Sequence, residues 1–147
     1  MKTPGPAILL VEDDPNDIFF MQRAINKASL QLSVQVAVNG EEAMNYLAGK
    51  GRFVDRKAYP LPCCVFVDLK MPFLGGMPLL EWITSQPLLS ALPVYIMSGV
   101  FEEAEVERAR KLGVRDCVQK PLSPEELTKL LSRIPECVPH LQIGRRD

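Results

Sequence analysis

The chain has 147 residues, which is enough for one compact domain and little else. Hydrophobic residues make up 47% of it, and 17 Lys and Arg against 18 Asp and Glu give a net charge of -1, as in an ordinary soluble globular protein. No basic excess favours binding to nucleic acid, and no apolar run approaches the ~18 residues of a membrane span. We therefore expect a cytoplasmic protein that binds neither nucleic acid nor membranes.

Histidine and cysteine are too sparse or unsuitably spaced for several common kinds of site. The single histidine, His140, leaves almost no material for a histidine-based catalytic triad or a histidine-rich metal site. The four cysteines lack the C-x-x-C spacing of zinc and redox sites. We interpret them as buried thiols in a reducing cytosol: Cys63, Cys64, Cys117 and Cys137.

Short apolar runs alternate with amphipathic stretches along the chain, which is typical of a βα-repeating α/β domain with a parallel sheet. We predict strands at residues 7–11, 32–38, 63–67, 94–97 and 117–119. The first, third and fourth are wholly apolar, as expected for central strands covered on both faces. The second alternates apolar and polar residues, which favours a half-buried strand at the sheet edge.

Five helices are predicted from their start and stop signals. They lie at about residues 15–28, after residue 39, at 77–86, at 101–112, and after residue 123. Asp14 is the expected cap of the first helix, with Pro15 at its first position. Capping-box spacings at residues 39–42 and 123–126 begin the second and fifth helices. Gly113 is the expected C-cap of the fourth helix, whose early residues are acidic and late residues basic.

Polar side chains follow the apolar strands at the points where they end. In open α/β sheets, ligands bind beyond the carboxyl ends of the strands, where the strand order reverses. Three of these residues also have ordinary explanations, since Asp14 can be a helix cap, Ser98 a turn residue and Lys120 a solvated charge. Asp68 closes a wholly apolar strand, so it needs a partner or a cation to offset its desolvation. The residues expected at this edge are Glu12, Asp13, Asp14, Asp68, Ser98 and Lys120.

The chemistry of this group suits phosphoryl transfer. Glu12, Asp13 and Asp68 supply the hard oxygen ligands that Mg²⁺ prefers. With its charge balanced by the cation and by the Lys120 ammonium, the Asp68 carboxylate can attack a phosphoryl group and form an acyl phosphate. The Ser98 hydroxyl can then bind phosphoryl oxygens, because phosphoryl transfer depends mainly on positioning and charge stabilisation.

Four segments at these strand ends resemble the receiver domain of bacterial two-component response regulators. They lie in the family's order at residues 8–15 (ILLVEDDP), 65–72 (VFVDLKMP), 94–99 (VYIMSG) and 118–121 (VQKP). The resemblance covers residues 6–133 and implies a flavodoxin-like (βα)5 fold whose parallel sheet has the strand order 2-1-3-4-5. It leaves residues 134–147 as an expected tail without an output domain.

The resemblance also implies what the site residues do. Asp68 is the expected acceptor of a phosphoryl group from a histidine kinase, which implies a signalling module and not an enzyme. Ser98 corresponds to the switch hydroxyl, and Lys120 to the active-site lysine, whose bond to Pro121 is often cis in the family. The implied Mg²⁺ ligands are the side chains of Glu12, Asp13 and Asp68 and the backbone carbonyl of Lys70.

Finer features are similar to small stand-alone regulators associated with phytochrome-type histidine kinases. These features are residues 15–17 (PND), directly after the acidic cluster, and a long loop at residues 49–62. One position departs from the family, because receivers usually carry Tyr or Phe three residues before the lysine and here that residue is Cys117. A homodimer is also considered, since a regulator without an output domain can signal through self-association.

The first predicted helix indicates a docking surface. A helical wheel places one arc of it against the core, formed by Phe20, Met21, Ala24 and Ile25. Phe19 lies almost opposite the centre of this arc, so we predict that it is exposed. With Ile18 it can pack against the helical bundle of a phosphodonor, although a single exposed apolar residue is also ordinary.

Two alternative functions stay open at this point. A haloacid-dehalogenase-like phosphatase also uses an aspartate nucleophile with Mg²⁺ and lysine, but it normally needs a second aspartate where this chain has Lys70. A degenerate receiver would act as a phosphorylation-independent binding module. The complete set of carboxylates, hydroxyl and lysine argues against that module, whereas Cys117 keeps it open.

Overall fold

The structure, a computed structural model, describes residues 6–28, 31–71 and 74–137. Its strands are β1 Ala7–Val11, β2 Ser33–Ala37, β3 Cys64–Asp68, β4 Val94–Ser98 and β5 Asp116–Gln119. Its α-helices are α1 Pro15–Lys27, α2 Gly40–Ala48, α3 Gly76–Ser85, α4 Glu103–Lys111 and α5 Pro124–Leu131, and a short 3-10 helix spans Gly51–Phe53. The predicted strands and helices are all present, with ends that differ by one or two residues. None of the described helices is both long and apolar enough to cross a bilayer.

The sheet has the topology that the family resemblance implied. All neighbouring strands pair in parallel, in the order β2-β1-β3-β4-β5, which confirms the flavodoxin-like arrangement. β1, β3 and β4 are buried along their whole length, as their apolar sequences predicted. β2 lies at the edge and is mostly half-buried, as its alternation predicted. Because all strands run in one direction, the residues that end β1, β3, β4 and β5 reach the same edge.

Successive residues of the central strands point into two separate hydrophobic cores. On one face of the sheet, Leu9 and Val11 pack with buried side chains of α2 and α3. On the other face, Ile8 and Leu10 pack with buried side chains of α1 and α5. Since each face is covered, the strand ends are fixed by burial on both sides and form a rigid base for the site.

The segment after α5 belongs to the second core. Ile134 and Cys137 are fully buried there, so the predicted tail packs against the domain over its first four residues. The domain boundary at residue 133 stays a prediction, and residues 138–147 with His140, like Pro72 of the second receiver-like segment, lie outside the described residues.

The helix start signals are correct in position, and one differs in detail. The capping box at residues 123–126 is complete. In α2, the Asn39 side chain accepts a hydrogen bond from the Glu42 amide at 2.8 Å, but the Glu42 carboxylate accepts from the Val38 amide at 3.2 Å and not from Asn39. This capping box is therefore only half formed. Gly113 follows α4 with a φ of 90°, as expected for a glycine C-cap.

The exposed side of α1 is wider than the helical wheel predicted. Met21, Ala24 and Ile25 are buried as predicted, and Phe19 is 55% exposed. The prediction that Phe20 is buried was wrong, because its side chain is 51% exposed. Phe20 lies about 100° around the helix from Met21, at the flank of the buried stripe and outside the sheet contact. The rings of Phe19 and Phe20 pack edge to face with centroids 5.9 Å apart.

Gly76, at the start of α3, touches the backbone that carries Asp68. A Cβ atom at this position would lie 2.8 Å from the Asp68 carbonyl oxygen and 2.9 Å from the Leu69 Cα. We predict that Gly76→Ala destabilises the fold by about 1–3 kcal/mol, because backbone atoms cannot rotate away from the added methyl group. The measurement is urea unfolding followed by circular dichroism.

The matched control is Gly99→Ala, because a Cβ atom at Gly99 would meet no atom within 4 Å. We expect this control to change the free energy of unfolding by less than about 0.5 kcal/mol. Equal stability of the two variants would contradict the close approach of α3 to the end of β3.

Candidate functional site

The carboxyl ends of three strands place polar side chains in a buried position. Glu12 follows β1, Asp68 ends β3 and Ser98 ends β4, and none of the three is more than 3% exposed. Asp13 lies beside Glu12 and is exposed. The structure thus brings together the carboxylates and the hydroxyl that the sequence predicted for this edge. A buried carboxylate is costly unless a charge or hydrogen bonds compensate it, so the partners of these groups matter.

Lys120, which follows β5, supplies the main compensating charge. Its Nζ donates hydrogen bonds to the Asp17 carboxylate at 2.7 Å and to the Glu12 carboxylate at 2.9 Å. The same Nζ lies 3.3 Å from the Asp68 Oδ2. An ammonium group has three N–H donors, and this one faces three carboxylates. The bond between Lys120 and Pro121 is cis, as the family resemblance implied.

Asp17 is not among the residues that the sequence predicted for the site. It lies in the first turn of α1, where an acidic residue is ordinarily explained by the helix dipole. Asp14 does act as the helix cap, since its side chain accepts from the Asn16 amide at 2.8 Å. Because Asp14 already caps the helix, a second acidic residue in the first turn is the feature of the sequence that could have identified Asp17.

The ionisation of Glu12 depends on its neighbours. Burial, together with a hydrogen bond and the charge of Asp68, raises the pKa of Glu12 to about 7, although Lys120 and the backbone amide of Asp14 act in the opposite direction. Burial lowers the pKa of Lys120, but its hydrogen bonds to Asp17 and Glu12 and the charge of Asp68 outweigh burial and raise it. Lys120 therefore stays charged at neutral pH. Its single positive charge does not balance the negative charge of all the carboxylates around it.

The carboxylates form a group that suits a hard divalent cation. Oxygen atoms of Glu12, Asp13 and Asp68 all lie within 4.8 Å of one another. Two of these residues are buried and the third is exposed, so an ion between them would keep one side open to water. Mg²⁺ typically takes one or two carboxylates and keeps several waters, and this set of donors fits that preference.

Lys70 contributes its backbone to the same region. Its amide donates a hydrogen bond to Asp68 Oδ1 at 3.0 Å, which orients the carboxylate. Its side chain turns away toward α4, where Nζ lies 2.5 Å from the Glu105 carboxylate and 3.8 Å from the Glu102 carboxylate. The role of its carbonyl as a metal ligand stays a prediction.

The Ser98 hydroxyl is engaged with the loop that follows it. It donates a hydrogen bond to the Val100 carbonyl at 2.7 Å, and its oxygen lies 3.3 Å from the Val100 amide. Asp68 is in register with Met97 on the neighbouring strand, so Ser98 is one residue further along β4. Ser98 therefore reaches the same edge of the sheet as the carboxylates, and the hydrogen bonds of its hydroxyl hold the start of the β4–α4 loop.

Cys117 occupies the position where the family usually has an aromatic ring. It is half-buried on β5, in register with Ile96, and packs against the same core as α2 and α3. Burial and the nearby Asp116 carboxylate raise the pKa of its thiol. The two aromatic rings nearest in the sheet, Phe66 and Tyr95, stack on each other in the opposite core and do not replace it.

A groove beside α1 leads to the site. It is lined by Phe20, Arg23 and Lys27 of α1 and by Pro121 and Leu122 of the segment after β5. Phe20 and Pro121 also line a small cavity that contains Lys120. Phe19 is exposed and its ring packs on Phe20, whereas Ile18 is half-buried against the α1 and α5 core, so the two predicted docking residues differ in access.

Solved structures of phytochrome-associated regulators are similar to this chain. The bacteriophytochrome response regulator AtBRR is 31% identical, with 89% of this chain and 93% of that chain covered and a TM-score of 0.78. The phosphorylated cyanobacterial phytochrome response regulator RcpA is 28% identical, with 90% and 92% covered and a TM-score of 0.75.

A third similar protein is the response regulator Rcp1 of Synechocystis sp., which is 26% identical over 133 residues, 90% of this chain and 88% of Rcp1. Its Mn²⁺-bound structure has a TM-score of 0.72, with 85% of this chain and 88% of that chain covered. The family model of the response regulator receiver domain matches residues 8–132, which include every strand of the sheet except the first residue of β1. The chain belongs to the response regulator receiver domain family.

Proposed function

We propose that this chain is a signalling protein of a two-component phosphorelay, in which Asp68 accepts a phosphoryl group from a histidine kinase. The position of Asp68 carries this proposal. Its carboxylate is buried at the end of an apolar strand, 3.3 Å from the Lys120 Nζ, within a group of carboxylates. Apolar residues would stabilise the strand end better than clustered charges, so this arrangement indicates chemistry and not packing.

The residues around Asp68 fit nucleophilic attack on phosphorus. An Asp68 oxygen would form the new bond to phosphorus, while the bond from phosphorus to the donor's imidazole nitrogen breaks and its electron pair returns to the imidazole. The Lys70 amide, 3.0 Å from Oδ1, orients the carboxylate. The Lys120 ammonium is close enough to Oδ2 to stabilise charge on the phosphoryl oxygens as transfer proceeds.

We further propose that Glu12, Asp13 and Asp68, with the carbonyl of Lys70, bind Mg²⁺. A bound Mg²⁺ would offset the carboxylate charge and attract the phosphoryl oxygens. The all-oxygen donor set within 4.8 Å supports this assignment, and so does the Mn²⁺-bound form of Rcp1. The carboxylates also outnumber the Lys120 ammonium group, so the charge balance of the site favours binding of a cation.

The change at the surface would begin at Ser98. To bind a phosphoryl oxygen, its hydroxyl has to leave the Val100 carbonyl, which it now holds at 2.7 Å. This releases the start of the loop that leads to α4. Because Cys117 has no ring to rotate, we propose that the β4–α4 loop transmits the signal, and the 2.5 Å ion pair from Lys70 to Glu105 of α4 provides a second connection.

The partners follow from the surface and from the relatives. We propose a phytochrome-type histidine kinase as the phosphodonor, supported by the similarity to AtBRR and RcpA. Phe19 and Phe20 would pack against its helical bundle, with Ile18 supporting them from beneath. A homodimer is proposed as a second means of output, and a cytoplasmic location without nucleic-acid binding is consistent with the net charge of -1.

Phosphorylation of Asp68 is tested with the purified chain, Mg²⁺ and a small acyl-phosphate donor. We expect the intact mass to increase by one phosphoryl group, and we expect no increase in Asp68→Asn, which keeps the shape but lacks the nucleophile. Removal of Mg²⁺ with a chelator should also prevent the increase. A wild-type chain that stays unmodified while a known receiver reacts under the same conditions would favour a degenerate binding module, the alternative to which Cys117 points.

Mg²⁺ binding should depend on pH through Glu12. Because a ligand carboxylate has to be ionised and the pKa of Glu12 is about 7 without metal, we expect apparent affinity to rise by up to about tenfold from pH 6 to pH 8. Binding near pH 7 should release protons, which isothermal titration calorimetry in buffers of different ionisation enthalpy can count.

The raised pKa of Glu12 also determines how the stability of the metal-free protein changes with pH. The folded state retains the Glu12 proton where the unfolded state loses it, so stability should fall as the pH rises from about 4.5 to about 7. In Glu12→Gln, both the proton release and this loss of stability should be absent. Metal affinity that is independent of pH in the wild type would contradict the raised pKa.

Docking through α1 is tested with Phe19→Asp. We expect phosphoryl transfer from a histidine kinase to slow about tenfold or more, because a charge replaces an exposed aromatic contact, while phosphorylation by the small donor is unchanged. The matched control is Leu88→Asp, since Leu88 is 97% exposed in the α3–β4 connection at the opposite edge of the sheet. Equal loss with both phosphodonors would show that Phe19 acts on the site itself and not on docking.

A further inference from the structure

A cluster of three thiols lies at the edge of the sheet opposite Asp68. Cys64 begins β3, Cys63 precedes it, and Cys137 follows α5. The Sγ atoms of all three lie within 4.8 Å of one another. Cys63 and Cys137 are the closest described pair, with their sulfur atoms 2.8 Å apart although the residues are 74 positions apart in the chain. No other atom fits between these two sulfur atoms.

The backbone on both sides keeps the two sulfur atoms together. The Cys63 amide donates a hydrogen bond to the Ala7 carbonyl at 2.8 Å, which fixes it beside the start of β1. The Cys137 amide donates to the Ile134 carbonyl at 2.9 Å, and the Cys137 side chain is fully buried in the core of α1 and α5. Two thiols positioned in this way react as neighbours and need no large movement to bond.

Access from solvent differs between the thiols. Cys63 is partly exposed, whereas Cys64 and Cys137 are fully buried. The hydrogen bond with Cys63 and burial raise the pKa of Cys137 to about 12, although Cys64 opposes this shift. At neutral pH the Cys137 thiol therefore keeps its proton, and an oxidant from solvent meets Cys63 first.

The separation of the sulfur atoms distinguishes a disulfide from a metal site. Two thiolates bound to one tetrahedral zinc ion at about 2.3 Å place their sulfur atoms roughly 3.8 Å apart. The 2.8 Å between the Cys63 and Cys137 sulfur atoms is shorter than this, so the two thiols contact each other directly and not through a shared tetrahedral ion. The geometry therefore favours oxidation of this pair over shared coordination of an ion.

We propose that Cys63 and Cys137 form a reversible disulfide when the protein meets a peroxide. The Cys63 sulfur attacks one peroxide oxygen, and the oxygen–oxygen bond breaks. The attacked oxygen stays on Cys63 as a sulfenic acid, and the other oxygen departs with the thiol proton as the first water. The Cys137 sulfur then attacks the Cys63 sulfur, the sulfur–oxygen bond breaks, and the hydroxyl leaves with the Cys137 proton as the second water. Two thiols are oxidised by two electrons, and the peroxide is reduced to two waters.

This disulfide would attach the segment after α5 to the beginning of β3. Its formation does not involve the carboxylates around Asp68, because it lies at the opposite end of β3. A bond that closes so long a loop constrains the unfolded chain strongly and should stabilise the fold. In a reducing compartment such a bond is transient and responds to oxidants, as intracellular disulfides usually do.

The test treats the reduced full chain with hydrogen peroxide and then removes the oxidant. We expect the intact mass to fall by two hydrogen atoms, peptide mapping to identify a Cys63–Cys137 linkage, and the melting temperature to rise by about 10 °C. Dithiothreitol should reverse all three changes. The mass loss should be absent in Cys63→Ser, a substitution at a partly exposed position, and circular dichroism should show that this variant keeps the wild-type fold.

The matched control is Cys117→Ser, which removes a half-buried thiol on β5 and should retain the mass loss. A linkage that contains Cys64 or Cys117, a linkage between two chains, or no intramolecular linkage in the folded wild type would each overturn the proposal. So would one equivalent of zinc retained by the reduced chain and lost in Cys64→Ala, since that result would identify a three-thiol metal site.

Discussion

The carboxyl edge of the sheet depends on the interactions of the Lys120 ammonium group with the carboxylates around it. One nitrogen connects Glu12 after β1, Asp17 in α1 and Asp68 at the end of β3 to the segment after β5. Without it, three carboxylates would face one another where the sheet excludes water, and at least one would have to bind a proton. With it, the group is still short of positive charge. The site is thus stable enough to fold, and its excess of carboxylate charge suits the cation proposed above.

The sheet makes this balance possible because its strands are covered on both faces. Apolar residues in β1, β3 and β4 fix the backbone, so the polar side chains at the strand ends cannot move apart to reduce repulsion. The Ser98 hydroxyl makes its hydrogen bonds outside the carboxylate group, with the backbone of Val100. A new hydrogen-bond acceptor beside Asp68 would compete with the Val100 carbonyl for that hydroxyl. The resulting change would be local to the β4–α4 loop, because Cys117 has no aromatic ring that could move with it.

Sequence patterns were sufficient for features that depend on short segments. The apolar strands, the half-buried edge strand, the caps at Asp14 and Ser123 and the strand-end residues each follow from neighbouring residues. The role of Asp17 was not predicted and Phe20 was wrongly predicted to be buried, because both environments depend on how α1 is rotated against the segment after β5. The contact between Cys63 and Cys137 depends on where α5 delivers the chain after 74 residues, and spacing rules that consider only nearby cysteines do not detect it.

The two edges of the sheet therefore carry different chemistry, separated by the length of β3, about 15 Å for its five residues. Hard oxygen atoms are grouped at the carboxyl edge and soft sulfur atoms at the amino edge. The segment from Lys120 through α5 to Cys137 connects the two. Its beginning forms one wall of the groove beside α1, and its end carries the buried thiol. A covalent bond at Cys137 would restrict α5 at its far end, so it would act on the flexibility of the groove beside α1 and leave the charges around Asp68 unchanged.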